Sequence, residues 1–204
     1  MNATQIPLTL IKKTIDFHGH SCPGLAIGIR AAEVALAEVG RSSDEEVVAL
    51  VENDNCAVDA IQFLLSCTYG KGNLIHLDYG KIAFSFYRRS DGKAIRLIGK
   101  PDIVEHQDGE FIRLRNTKMV RSLTEKEEQR LKKATAARIT QIMEADPDEL
   151  FEISPAKGPI PQKAQILETL ICEACGELTM ETRTRHLLGQ TLCIPCFEAR
   201  EKLN

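Results

Sequence analysis

Residues 22–40 read CPGLAIGIRAAEVALAEVG, and this stretch sets the architecture. Pro23 suits the first helical position, where its missing N–H has no intrahelical partner to lose, and Gly40 suits the stop just past the end. Between them good helix formers predominate. Gly24, Gly28, Ala31, Ala32 and Ala35 recur at three- and four-residue steps, so one face of this predicted helix can lie close against a neighbour. Downstream, VVALVE at residues 47–52 is short, apolar and β-branched, the pattern of a buried strand. Asn53, Asp54 and Asn55 form a turn signal. A second helix is predicted over about residues 57–66, with apolar positions Val58, Ile61, Phe63, Leu64 and Leu65. The next part has the pattern of antiparallel sheet. Residues 73–77 form one strand. In residues 81–88, Ile82, Phe84 and Phe86 should face inward and Ala83, Ser85 and Tyr87 outward. Asp91-Gly92 is a hairpin turn, and residues 94–98 return. Residues 1–121 therefore predict an α+β core, an antiparallel or mixed sheet with packed helices.

A third helix is predicted from Thr124, because Thr124 with Glu127 fits a capping box. It should run to about Ala145, since Asp146-Pro147 blocks continuation. Residues 113–138 hold nine Lys/Arg and three Asp/Glu, a local basic excess whose ordinary reading is a solvated helix face. Pro155, Gly158, Pro159 and Pro161 then mark a semi-rigid extended linker. The expected organisation is a core over residues 1–121, a helix and proline-containing linker over 122–165, and a small C-terminal domain over 166–204.

The 204 residues are 43% hydrophobic and 27% charged, which excludes disordered and collagen-like chains. With 26 Lys/Arg against 29 Asp/Glu, the formal net charge is −3, the wrong sign for a protein that wraps nucleic acid as a whole. No stretch approaches the roughly 18 apolar residues of a membrane span. The N-terminus lacks the basic and apolar regions of a secretory signal. The expectation is a cytoplasmic protein, where close-set cysteines are metal ligands or reactive thiols more often than disulfides. There are seven cysteines and no tryptophan; the odd number means that disulfides cannot account for all of them.

Four of the seven are two C-x-x-C pairs, Cys172/Cys175 and Cys193/Cys196, with 17 residues between them. Each pair places two thiolates within reach of one ion, and two pairs close a tetrahedral sulfur shell. Soft thiolates in that geometry suit zinc, with iron as the competitor. A closed shell points to a structural role, in which metal binding supplies the folding energy of a segment too small to build its own core. The second pair runs into FEAREKLN, residues 197–204, a potential helix opening at the ligands. The segment resembles a treble-clef finger, similar to those at the ends of several bacterial transcription-associated proteins. Its charges nearly cancel and Phe197 is its one aromatic, which disfavours a nucleic-acid surface without excluding one.

The remaining three are Cys22, Cys56 and Cys67. If residues 18–22 are extended, His18, His20 and Cys22 point the same way and form a metal-binding or reactive edge. Cys22 and Cys56 both sit at predicted helix starts, where the partial positive charge favours thiolate. Asp59, one helical turn after Cys56, is either a further ligand or base or an exposed carboxylate. Cys67 lies in CTYGKGN, residues 67–73. This fails as a phosphate loop, because Leu65 replaces the first glycine and Gly72 replaces the Ser/Thr after Lys71; a glycine-flanked loop carrying Lys71 to an anionic ligand remains an option, as does a plain buried Cys67. His76, His106 and His186 are expected to be ordinary core or surface histidines.

The blocks FHGHSCPG at residues 17–24, Asp54-x-Cys56-x-x-Asp59-Ala60, and Cys67-Thr68-x-Gly70-Lys71-Gly72-Asn73-Leu74 resemble the E-subunit family of formylmethanofuran dehydrogenase over about residues 10–100. The resemblance implies an α+β core that forms a homodimer, with a Cys/His cleft near the dimer interface. It also implies an association with a molybdenum or tungsten enzyme of one-carbon metabolism. The site it implies is His18, His20, Cys22, Cys56 and Cys67, with Asp59 and Lys71 nearby. Three functions fit. One is a metal-binding accessory protein or small enzyme, with a second zinc or iron in the core. Another is a regulatory module that senses metal or redox state and binds a protein partner through the finger. The third is a thiol enzyme, with Cys22 as nucleophile and His20 as base.

Overall fold

The computed structural model describes residues 4–101, 103 and 109–202. The chain divides into two compact units, Met1–Lys163 and Ala164–Asn204.

In the first unit, α1 (Leu8–His18) precedes α2 (Pro23–Glu38). The helix predicted after Cys22 therefore stands, with Pro23 in its first turn and Gly40 just beyond it at φ 78°. The expectation of an extended chain through His18 is corrected: His18 is the last residue of α1, and Gly19, at φ 90°, turns the chain out of the helix. The residues after α1 cannot continue it, because Gly19 takes the left-handed conformation that ends helices.

Strand β1 (Val47–Val51) leads through the Asn53–Asn55 turn into α3 (Ala57–Leu65). The Asn55 carboxamide oxygen accepts the Ala57 N–H at 2.9 Å, satisfying a backbone donor that a helix start leaves open. The small-residue face of α2 packs on α3. A Cβ on Gly28 would lie 2.3 Å from the Ala57 carbonyl oxygen, so only glycine permits this approach.

Strands β2 (Leu74–His76), β3 (Ala83–Arg88) and β4 (Ala94–Gly99) follow. α4 (Gly109–Val120) and α5 (Glu125–Glu144) come next. α5 opens on the expected capping box, with the Glu127 N–H donating to Thr124 Oγ1 and the Thr124 N–H to Glu127 Oε2. A single turn, α6 (Pro147–Leu150), enters β5 (Phe151–Pro155). The sheet order is β2-β1-β3-β4-β5. The β1–β2 pair is parallel and the other pairs are antiparallel, so the sheet is mixed. Val47, Ala49, Val51, Phe84, Phe86, Ile95 and Leu97 on one face join residues of α2 and α3 in the core. The predicted outward face of β3 is buried too: Ala83, Ser85 and Tyr87 are at most 5% exposed. The Tyr87 hydroxyl donates to Lys157 O at 3.4 Å, and the Arg89 guanidinium to Pro161 O and Gln162 O. The proline stretch is thus tied back to its own sheet. The segment 122–165, expected as a connecting region, belongs to the first unit as far as Lys163: α5 contributes Ile142 to the core and β5 adds an edge strand, where Pro155 is tolerated.

The second unit holds two hairpins and a helix. β6 (Thr169–Ile171) pairs with β7 (Leu178–Met180), and β8 (Thr184–Leu187) with β9 (Gln190–Cys193), which runs into α7 (Ile194–Glu201). Among the described residues no helix is long and apolar enough to cross a membrane.

Candidate metal centres

In the first unit, ligand atoms of His18, His20, Cys22 and Cys56 all lie within 4.8 Å of one another. Three different junctions deliver them. His18 ends α1, Cys22 caps the start of α2, and Cys56 precedes α3. His20 lies on the turn between α1 and α2. The helix approach at Gly28 continues at Gly24, whose Cβ would lie 3.2 Å from Cys56 Cβ and 3.9 Å from Cys22 Sγ. Small residues on α2 are therefore what let Cys56, 34 positions away in the sequence, reach Cys22.

Each ligand has its own support. The Leu25 N–H donates to Cys22 Sγ at 3.3 Å, so this sulfur takes the place of an N-cap oxygen. His18 Nδ1 lies 2.7 Å from Asp59 Oδ2. A carboxylate only accepts, so the ring must carry its proton on Nδ1, which leaves the Nε2 lone pair free for a metal. That Nε2 lies 3.9 Å from Cys22 Sγ, near the roughly 3.6 Å edge of a tetrahedron with one sulfur and one nitrogen on zinc. Asp59 is therefore a brace on His18 rather than a member of the ligand group. Burial, and then the Cys22 thiol beside it, push the Cys56 thiol above its ordinary pKa, opposite to the lowering that a helix start alone predicts. The closest imidazole to Cys22 in hydrogen-bond terms is His18, not the expected base His20.

The cluster borders a cleft of about 350 Å³ lined by His18, Cys56, Asp59 and, across from them, Asn53, Tyr69 and His76. It sits where the parallel strands β1 and β2 end, with Val51 beside His76, the usual crevice of such a switch point. Gln62 donates to Asp59 Oδ1 at 3.3 Å and accepts the Tyr69 N–H at 3.4 Å. His76, read from sequence as ordinary, is an exposed wall of this cleft. Only the parallel pairing of β2 puts it there, and a short strand carries no sequence signal of its partner. His106 lies outside the described residues.

Two expected site members stand apart. Cys67 is fully buried, and its Sγ donates to Val47 O at 3.4 Å. Burial pushes its thiol up to about 12, so it is a core residue and not a ligand of this cluster. Lys71 does not line the cleft. Its Nζ donates to Ser66 O at 2.7 Å and Asp44 O at 2.9 Å, closing its own loop around the fully buried Asn73.

In the second unit, the sulfurs of Cys172, Cys175, Cys193 and Cys196 also lie within 4.8 Å of one another. The Cys172 carbonyl accepts the Gly176 N–H at 2.8 Å, with Gly176 at φ 75°, a knuckle that brings the first pair together. Cys193 and Cys196 flank the start of α7. The Cys175 and Cys193 sulfurs are 3.9 Å apart, against roughly 3.8 Å for two thiolates on one tetrahedral zinc. The backbone N–H groups of Cys175, Cys193 and Ala174 hold the Cys172 thiol down at about 6, while Cys193 and Cys175 push Cys196 up to about 12. Without an ion the sulfurs compete for protons; a shared dication removes the competition by binding all four as thiolates. His186 is exposed on β8, 3.4 Å from Thr191 Oγ1.

These two units define a metal-binding protein made of an α+β core and a C-terminal C4 zinc finger. Residues 17–152 match the family described as FmdE, of the molybdenum formylmethanofuran dehydrogenase operon, and the chain belongs to that family. Residues 166–202 match the prokaryotic dksA/traR C4-type zinc finger. A relative from Archaeoglobus fulgidus, described as a probable S-adenosyl-L-methionine-binding protein, is 32% identical over 195 residues, 92% of this chain and 52% of that protein. The chain thus spans about half the length of this curated relative. The crystal structure of an FmdE-like protein of tungsten formylmethanofuran dehydrogenase, from Syntrophus aciditrophicus, matches over 98% of both chains with a TM-score of 0.61 at 24% identity, a likeness of fold.

Proposed function

We propose that the core binds a second transition metal, zinc or iron, through His18, His20, Cys22 and Cys56. The protein then serves as an accessory metal protein of one-carbon or molybdenum/tungsten enzyme metabolism, in the cytoplasm and as a homodimer. The observation that carries the metal reading is the convergence of four ligand atoms within 4.8 Å beside a histidine already oriented by Asp59. Two sulfurs and two imidazoles suit zinc or ferrous iron rather than magnesium or calcium. When bound, such an ion supplies Lewis acidity to a group in the adjoining cleft. The cleft contributes polar contacts from Asn53, Asp59 and His76 and a ring surface from Tyr69. The test is metal content per chain with anomalous scattering at each site. The expectation is two ions, falling to one in the Cys22→Ala/Cys56→Ala variant; one ion in both proteins overturns the reading.

A second reading concerns the ligand. The Archaeoglobus relative's description names S-adenosyl-L-methionine, and the cleft lining offers Asp54, Asp59 and the Tyr69 ring with no lysine or arginine. That balance of charge favours a sulfonium cation. Calorimetry should then show S-adenosyl-L-methionine binding more tightly than the uncharged thioether S-adenosyl-L-homocysteine; equal or absent binding of the two removes this reading.

A further inference from the structure

The four groups of the core cluster are not held alike. His18 is the last residue of a helix, its side chain is 9% exposed, and Asp59 fixes its ring. Asp59 is in turn held by Gln62, whose own oxygen accepts the Tyr69 N–H. Cys22 is pinned by the Leu25 N–H. Cys56 is clamped at the α2–α3 crossing, where Gly24 leaves room for nothing larger. His20 differs on every count. It lies on the turn after Gly19, outside both helices, and is exposed. Among the described residues no hydrogen bond orients its ring, which rests against that of His18 with centroids 4.3 Å apart.

A ligand without an orienting partner costs more conformational freedom to hold and returns less affinity than a braced one. We propose that His20 is an exchangeable ligand: His18, Cys22 and Cys56 form the permanent three-point mount, and His20 gives way to an incoming molecule that offers a thiol or a heteroaromatic nitrogen. This inference deepens the proposed core metal site and rests on it. Four ligands make the resting shell complete, whereas chemistry or ligand sensing at a metal needs an open position. Release of the exposed His20 creates that position on the solvent side without disturbing the helices. A Cys₂His mount on a borderline ion prefers sulfur or nitrogen donors as the fourth ligand. In the exchange, the metal–His20 bond breaks and a metal–sulfur or metal–nitrogen bond forms; an incoming thiol gives its proton to water.

Cobalt(II) tests this through its visible d–d bands, which report the number and type of ligands. The whole chain is titrated with cobalt(II), and the spectrum of the Cys22→Ser/Cys56→Ser variant, which retains the finger, is subtracted. A wild-type spectrum identical to that variant's sinks the core metal site itself. Given core bands, added imidazole or 2-mercaptoethanol should shift them in wild type. Relative to the 10–100-fold losses that follow removal of an orienting partner, His20→Ala should weaken cobalt(II) binding by no more than about tenfold and His18→Ala by at least about a hundredfold. Imidazole should return the His20→Ala spectrum to that of wild type. Asp59→Asn, a change at a partly exposed carboxylate, provides a second readout if His18→Ala fails to fold; it should weaken binding more than His20→Ala does. Core bands indifferent to both added donors, or His20→Ala as damaging as Asp59→Asn or His18→Ala, overturn the proposal.

Discussion

The two cysteine clusters are assembled by opposite means. The finger's ligands come in two sequence-local pairs, each on its own turn, and its small core of Cys172, Leu192 and Cys193 is largely the ligands themselves. The core cluster gathers groups from three helix junctions, backed by a hydrophobic core that exists without them. Metal should therefore make the finger and merely occupy the core site. Equal ligand geometry can carry different energetic weight, depending on what else buries the backbone around it.

The largest effect that can break this contrast is metal removal. Structural zinc in small fingers contributes apparent binding energies of about 10–16 kcal/mol. Chelation or Cys193→Ser should abolish amide exchange protection across residues 169–201 while the β1, β3 and β4 amides stay protected. Persisting protection in the finger would erase the contrast. The next effect lies inside the core. Native protein freed of metal and exposed to an alkylating reagent at about pH 8 should be modified at Cys22 but at Cys67 more than about a thousandfold more slowly, because a thiol held near 12 is almost never a thiolate there. Comparable labelling, read by peptide mass spectrometry, would return Cys67 to the site.

A smaller effect tests the helix crossing. Gly28→Ala forces a methyl into the Ala57 backbone, and overpacking of this kind costs typically about 1–3 kcal/mol. Urea unfolding of the first unit should show it, with a weakened core metal and an unchanged finger. Smallest is the α5 cap: Thr124→Ala should cost about 1 kcal/mol in the same unit alone. The Arg121 guanidinium, then the Thr124 N–H, hold the Glu127 carboxyl down at about 2. Its folded pKa is depressed, so its contribution is present above the unfolded value and fades as pH falls toward 2. Because the group is exposed, that fading should be slight, and a thermal melt series across this range should find little change.

Much of the fold is legible locally. The helix after Cys22, the capping box at Thr124 and the hairpin at Asp91-Gly92 each carry their own stop and start residues, and all appear where predicted. α1 escapes a reading of this kind because Thr9, Thr14 and the two β-branched isoleucines blur its helical pattern. β5 escapes it because Pro155 and the prolines after it mark a linker, although an edge strand can end on one. Within the sites, Cys22 and His18 are visible as a motif, but the role of Asp59 as brace, the exclusion of Cys67 and Lys71, and the place of His76 are not.

The sequence by itself determined what local spacing and local chemistry can specify: the C4 finger, the α+β class, and a short Cys/His run rich in ligands. Tertiary structure alone decided which of those ligands meet. Cys56 and Cys67 flank the same helix, yet one reaches Cys22 and the other is sealed in the core. The physical reason is the α2–α3 crossing, where Gly24 and Gly28 admit the start of α3 to the site while its far end packs into the core against the sheet. Contacts of that kind depend on backbone approach in three dimensions, and no one-dimensional period encodes them.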